Sequence, residues 1–149
     1  MFKLLKSFFA TKQTDLIVSL KKDHQKLLEI YNQLDKLVEQ NEFTKAYKSF
    51  KEFILEYNKH ILIEDTKLYK QLKELYENQP QILEAIIIIE NDMNSITKCI
   101  HNFEKTFKEI TQENKQAFLE ELHIIGNVLT QRINLEEERL YPLHNENDR

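Results

Sequence analysis

His60 and Glu64 are the residues of this chain whose types and spacing point most directly to chemistry. Four apart on an α-helix, they lie one turn apart on the same face, where an imidazole and a carboxylate can reach one metal ion. They sit in the run His60-Ile61-Leu62-Ile63-Glu64-Asp65-Thr66-Lys67-Leu68-Tyr69, which returns as Arg132-Ile133-Asn134-Leu135-Glu136-Glu137-Glu138-Arg139-Leu140-Tyr141. The repeat keeps Ile61/Ile133, Glu64/Glu136, Leu68/Leu140 and Tyr69/Tyr141, and puts Arg132 where the first copy has His60. Two halves of one site are implied, one of them altered. Whether the altered site still holds a metal is the question the sequence poses.

The elements that must position these residues follow from periodicity. Apolar residues recur at steps of three or four, and no segment alternates as a strand would. A first helix is predicted over Asp15–Glu39, with Ile17, Leu20, His24, Leu27, Leu28, Tyr31, Leu34 and Val38 on its inward face. Gln40-Asn41-Glu42 is a link, and Thr44 is placed to cap a second helix running to about Glu77, where Asn78-Gln79-Pro80 stops it. The second helix turns Phe50, Phe53, Tyr57, His60, Glu64, Leu68 and Leu75 inward. A third helix carries an inward stripe from Ile82 through Met93 to Ile110, and Thr111-Gln112-Glu113-Asn114 links it to a fourth. The fourth turns Phe118, Leu122, Ile125, Leu129, Arg132, Glu136 and Leu140 inward and ends near Pro142, with Gly126 marking a close helix contact. Short links make neighbours antiparallel. The fold class is therefore all-α, an up-down-up-down four-helix bundle over residues 15–144, with a short N-terminal helical extension over 1–14.

Composition agrees. A chain of 149 residues fits one domain and buries roughly 68–70% of its unfolded surface. One glycine and two prolines leave few helix breaks, and 31% charged against 41% hydrophobic residues suits amphipathic helices. A formal net charge of −4 argues against nucleic acid as a partner. Cys99 is the sole cysteine, so no intrachain disulfide forms, which suits a reducing cytoplasm. No apolar run approaches membrane-spanning length. Met1-Phe2-Lys3-Leu4-Leu5-Lys6-Ser7-Phe8-Phe9 is apolar with interleaved lysines and reads as a docking element, for the bundle, a protein partner or a second copy; contact with a membrane surface is the weaker alternative.

Two buried glutamates between apolar neighbours, Glu64 and Glu136, are costly unless a positive partner lies between them. His24 falls in the middle of the first inward stripe, and antiparallel packing can bring it level with His60 and both glutamates. The first half thus offers His24, His60 and Glu64 to a metal, and imidazole with carboxylate in a bundle core suits iron, zinc or manganese. The halves align further. From His24 the apolar steps are +3, +7, +10 and +14, and the same steps follow Met93. His101 and His123 lie on helix flanks, His144 falls in the polar tail, and Asp65 and the acids after Glu136 read as a solvated face. No nucleophilic triad, phosphate loop or CxxC is present, so the chain is not read as an enzyme.

In Asp23-His24, His60-x-x-x-Glu64 with its Leu68-Tyr69 tail, and Glu136-Glu137-x-x-Leu140-Tyr141-Pro142, the chain resembles the hemerythrin-like (HHE cation-binding) family from about Leu16 to Pro142. That resemblance implies a four-helix bundle holding two non-heme irons, and roles in oxygen carriage, oxygen or redox sensing, iron sensing or storage, or nitrosative stress. It implies that one iron takes His24 and His60, that Glu64 and Glu136 bridge, and that Met93 and Arg132 stand where the second iron's histidines belong. Arg132 cannot ligate, and its guanidinium suits a bridge between the two carboxylates. Two readings follow. Either the reduced site holds a single metal ion in a sensing or metal/redox-response role, or Arg132 neutralises Glu64 and Glu136 in a metal-free interaction module.

Overall fold

The structure is a computed structural model, in which residues 13–145 are described. Among them every regular element is helical, as the periodicity predicts. The first rod of the bundle is α1 (Asp15–Glu39). The second is α2 (Phe43–Ile63), carried through a π turn at Glu64–Leu68 into α3 (Tyr69–Leu75). The third is α4 (Pro80–Thr106), and the fourth is α5 (Lys115–Leu135), extended by a second π turn at Glu136–Leu140 and a 3-10 turn at Tyr141–His144. All but the last two residues of the predicted extension lie outside the described residues. Of those two, Thr14 belongs to the bundle, because its side chain caps α1 by accepting from the Ile17 amide at 3.4 Å.

Contacts at both ends fix the antiparallel order. Thr14, before α1, bonds His144 at the end of the fourth rod at 2.9 Å. At the opposite end Lys115, which opens α5, donates to the Glu39 carbonyl and to Asn41. The first link turns on Asn41 at φ 60°, a conformation that asparagine tolerates where glycine is the usual choice.

The core falls into two apolar clusters. One centres on Phe50, Phe103 and Phe118, whose rings lie 4.9–5.2 Å apart. The other gathers Ile17, Leu20, Leu68, Leu72, Ile86 and Leu140. His24 lies between Leu20 of the second cluster and Leu27 of the first, and His60 with Glu64 lies between Tyr57 and Leu68. The candidate site is therefore a polar layer between two dry ones.

Several expectations are corrected. Thr44 does not cap α2; Glu42 stands at the cap position and makes no side-chain cap bond. The second rod's helix ends at Leu75 rather than Glu77. The third ends at Thr106, short of Ile110, although Phe107 and Ile110 are buried as expected. The longer link that results is clamped by Asn114, which accepts from the Thr111 amide at 2.8 Å and donates to the Glu109 carbonyl at 2.9 Å. His144 is not in a solvated tail. It is 4% exposed and bonds Thr14 and Gln71.

Candidate metal centre

His24, His60, Glu64 and Glu136 come together. α1 supplies His24 and α2 supplies His60, while Glu64 and Glu136 each open a π turn. One ligand atom from each of the four lies within 4.8 Å of every other, and all four residues are buried. The two imidazole rings are 4.7 Å apart.

Carboxylates from neighbouring rods hold the rings. His24 Nδ1 bonds Glu137 Oε2 at 2.7 Å, and His60 Nδ1 bonds Asp23 Oδ2 at 3.2 Å. With Nδ1 so occupied, Nε2 of each ring faces the glutamates. Nε2 of His24 is 3.0 Å from Glu136 Oε1, and Nε2 of His60 is 3.2 Å from Glu64 Oε2. The second contact is close but is not aligned as a hydrogen bond. His60 Nε2 and Glu64 Oε1 are both buried without a hydrogen-bond partner.

Two further side chains border the layer. Arg132 donates from Nε to Glu136 Oε2 at 2.9 Å and from Nη2 to the Tyr69 hydroxyl at 2.7 Å. No hydrogen bond takes it to Glu64, so it does not bridge the two carboxylates as expected. Its reach is used on Tyr69 instead. Tyr141 donates to Glu64 Oε2 at 2.6 Å, with His24 Nε2 and Glu136 Oε1 also close.

Burial and neighbours set the charges apart. Burial and the negative charge of Glu136 raise the Glu64 carboxyl above its ordinary range. Burial acts the same way on Glu136, but the His24 hydrogen bond and the charge of Arg132 outweigh it and hold that carboxyl at about 2. Burial works against a charged His60; the contact with Glu64 and the surrounding carboxylates overcome it and raise the ring to about 9. Burial and the two glutamates push the Tyr141 hydroxyl strongly upward, so it remains a donor.

The donor set fits one metal ion. Ligand atoms about 2.0–2.2 Å from an ion lie at most about 4.4 Å from one another, so the four need contract by only a few tenths of an ångström. Two imidazoles and two carboxylates suit iron, manganese or zinc. The orphaned atoms of His60 and Glu64 are the kind of buried polar group that calls for a missing partner.

A family model for the hemerythrin HHE cation-binding domain matches residues 15–143. The chain belongs to the hemerythrin family. Searches of curated proteins and of solved structures find no match. The remaining histidines of this hemerythrin-family chain stand apart from the cluster. His101 bonds Asn58, His123 bonds Asp35, and His144 lies at the bundle end. Met93 is buried among the apolar residues of the first cluster, as its place on the third stripe suggests. Sequence reasoning missed Glu137, which it assigned to solvent, and the role of Asp23. The signal for Asp23 was its place beside His24, yet it serves His60 from the neighbouring helix. Tyr69 and Tyr141, kept in both copies of the repeat, donate or accept inside the polar layer.

Proposed function

We propose that this hemerythrin-family chain holds one non-heme metal ion on His24, His60, Glu64 and Glu136 and serves in a cytoplasmic sensing or metal/redox-response role rather than as an enzyme. The observation that carries this is the pair of orphaned atoms, His60 Nε2 and Glu64 Oε1, buried and facing inward beside two more potential ligands. When bound, an iron ion supplies one-electron chemistry at this place; zinc would supply only charge. The chain's own part is to orient the rings through Asp23 and Glu137, to keep water out, and to place one cation of its own beside Glu136. Two carboxylates against one guanidinium leave the layer one positive charge short of neutral once His60 gives up its proton, which favours a cation.

With Met93 and Arg132 where the resemblance calls for histidines, the second metal is read as lost. Oxygen binding of the two-iron kind then has no place, because it needs ligands for both ions. A metal-free regulatory bundle is the second reading. The direct Arg132–Glu136 pair and the short Tyr141–Glu64 bond favour it, since together they already satisfy one oxygen of each carboxylate.

Elemental analysis of protein purified after growth with iron, zinc or manganese separates the two. Near-stoichiometric metal in the native chain, lost in His60→Ala, is the expected result. Protein that carries no metal under any loading condition establishes the second reading instead.

A further inference from the structure

A cleft of about 190 Å³ opens between α4 and α5, away from the polar layer. Ile96 and Ile100 line it from α4, and Ile124, Ile125 and Val128 from α5. Ile124 is 61% exposed and Val128 38% exposed. Single exposed apolar residues are ordinary; here five apolar side chains from two helices share one concave surface. Its charged lining residue is acidic, Glu121, and the exposed Cys99 stands on its wall.

The chain carries a segment of matching chemistry. In Met1–Lys12 the apolar residues Phe2, Leu5 and Phe9 recur at helical spacing, and all three charged side chains, Lys3, Lys6 and Lys12, are basic. Setting those three aside takes the net charge of the rest from −4 to −7, so the segment is attracted to the bundle that follows it. The reach suffices. Tyr31 bonds the Leu122 carbonyl at 3.0 Å, which sets the level of the cleft. At about 1.5 Å per residue that level lies roughly 25 Å along α1 from Thr14, and about 10 Å more crosses the neighbouring α5. Helical over 2–9 and extended over 10–14, the segment spans about 28 Å, against about 27 Å for those two legs taken at right angles.

We propose that the cleft between α4 and α5 receives the chain's own N-terminal segment, with Phe2, Leu5 and Phe9 against Ile96, Ile124 and Val128 and the lysines toward Glu121. A docked segment covers Cys99, which makes that thiol its reporter.

The labelling rate of Cys99 with a maleimide, in the full chain and in Leu5→Asp, tests this. Labelling several-fold faster in the variant, with unchanged helical circular dichroism, is the expected result. Equal rates overturn the proposal. Protection in the native chain that grows with protein concentration also overturns it, because the cleft is then filled by a second copy. Ser7→Cys gives an independent check under mild oxidation. A disulfide within one chain supports the proposal; a disulfide between chains, or two free thiols, refutes it.

Discussion

Glu64 and Glu136 begin alike, each buried and each opening a π turn, and end with opposite proton affinities. The His24 hydrogen bond and the charge of Arg132 make the difference, since both fall on Glu136. His60 shares the consequence. Without a metal its ring is held protonated up to about pH 9, against an ordinary value of 6.5. A raised value means that the fold favours the charged ring. That stabilisation is complete below pH 6.5 and is lost as pH rises through about 9. Metal-stripped protein is therefore expected to melt at a lower temperature above pH 9 than below pH 6.5. A metal must displace that proton, so metal affinity should climb by up to about tenfold per pH unit between neutrality and pH 9. Competition with a chelator at several pH values measures this; an affinity flat with pH removes His60 from the ligand set. Placing imidazoles by Met93→His with Arg132→His should raise the iron content per chain above that of the parent. Elemental analysis that finds no gain over the parent refutes the reading of the lost half. At this scale the residue types on inward stripes were legible, and so were all four members of the cluster. Glu137 and Asp23 were not, because they act across rods, and a single helix face does not say which neighbour a partly exposed acid will touch.

The helices hold a feature that the sequence carries but simple periodicity hides. His60, Glu64, Leu68, Leu72 and Tyr76 are all buried, at unbroken steps of four. At 3.6 residues per turn each such step drifts about 40° round an ideal helix, so the run cannot stay on one face. The π turn at Glu64–Leu68 absorbs the excess, and Arg132, Glu136, Leu140 and His144 repeat the pattern. The repeat was visible as residues; its geometric meaning needed the count of steps. The four rods themselves were legible because their stripes are long, whereas the early end of α4 depends on the Asn114 clamp and leaves no periodic trace. Gly126 is better marked. A Cβ there would lie 2.1 Å from the Tyr31 hydroxyl oxygen and 2.4 Å from its ring carbon Cζ. Glycine to alanine inside a helix ordinarily gains about 1 kcal/mol. Here the clash and the loss of the Tyr31–Leu122 bond should reverse the sign, so Gly126→Ala is expected to cost roughly 1–3 kcal/mol in urea unfolding. A more stable variant would show that Tyr31 moves aside without loss.

On the scale of the whole molecule, a charged stratum divides the interior, and three of the four rods contribute to it. α1 brings His24 and Asp23, the second rod His60 and Glu64, and the fourth Arg132, Glu136 and Glu137. α4 brings no member of the candidate ligand set. The Nδ1 contacts of the two rings run between rods rather than along them, so each ring is steadied by a different helix from its own. An ion in their midst would cross-brace three of the rods and leave the remaining one a bystander. Amide hydrogen exchange with and without metal should therefore slow together around His24, His60 and Glu136, and change least along α4 near Met93.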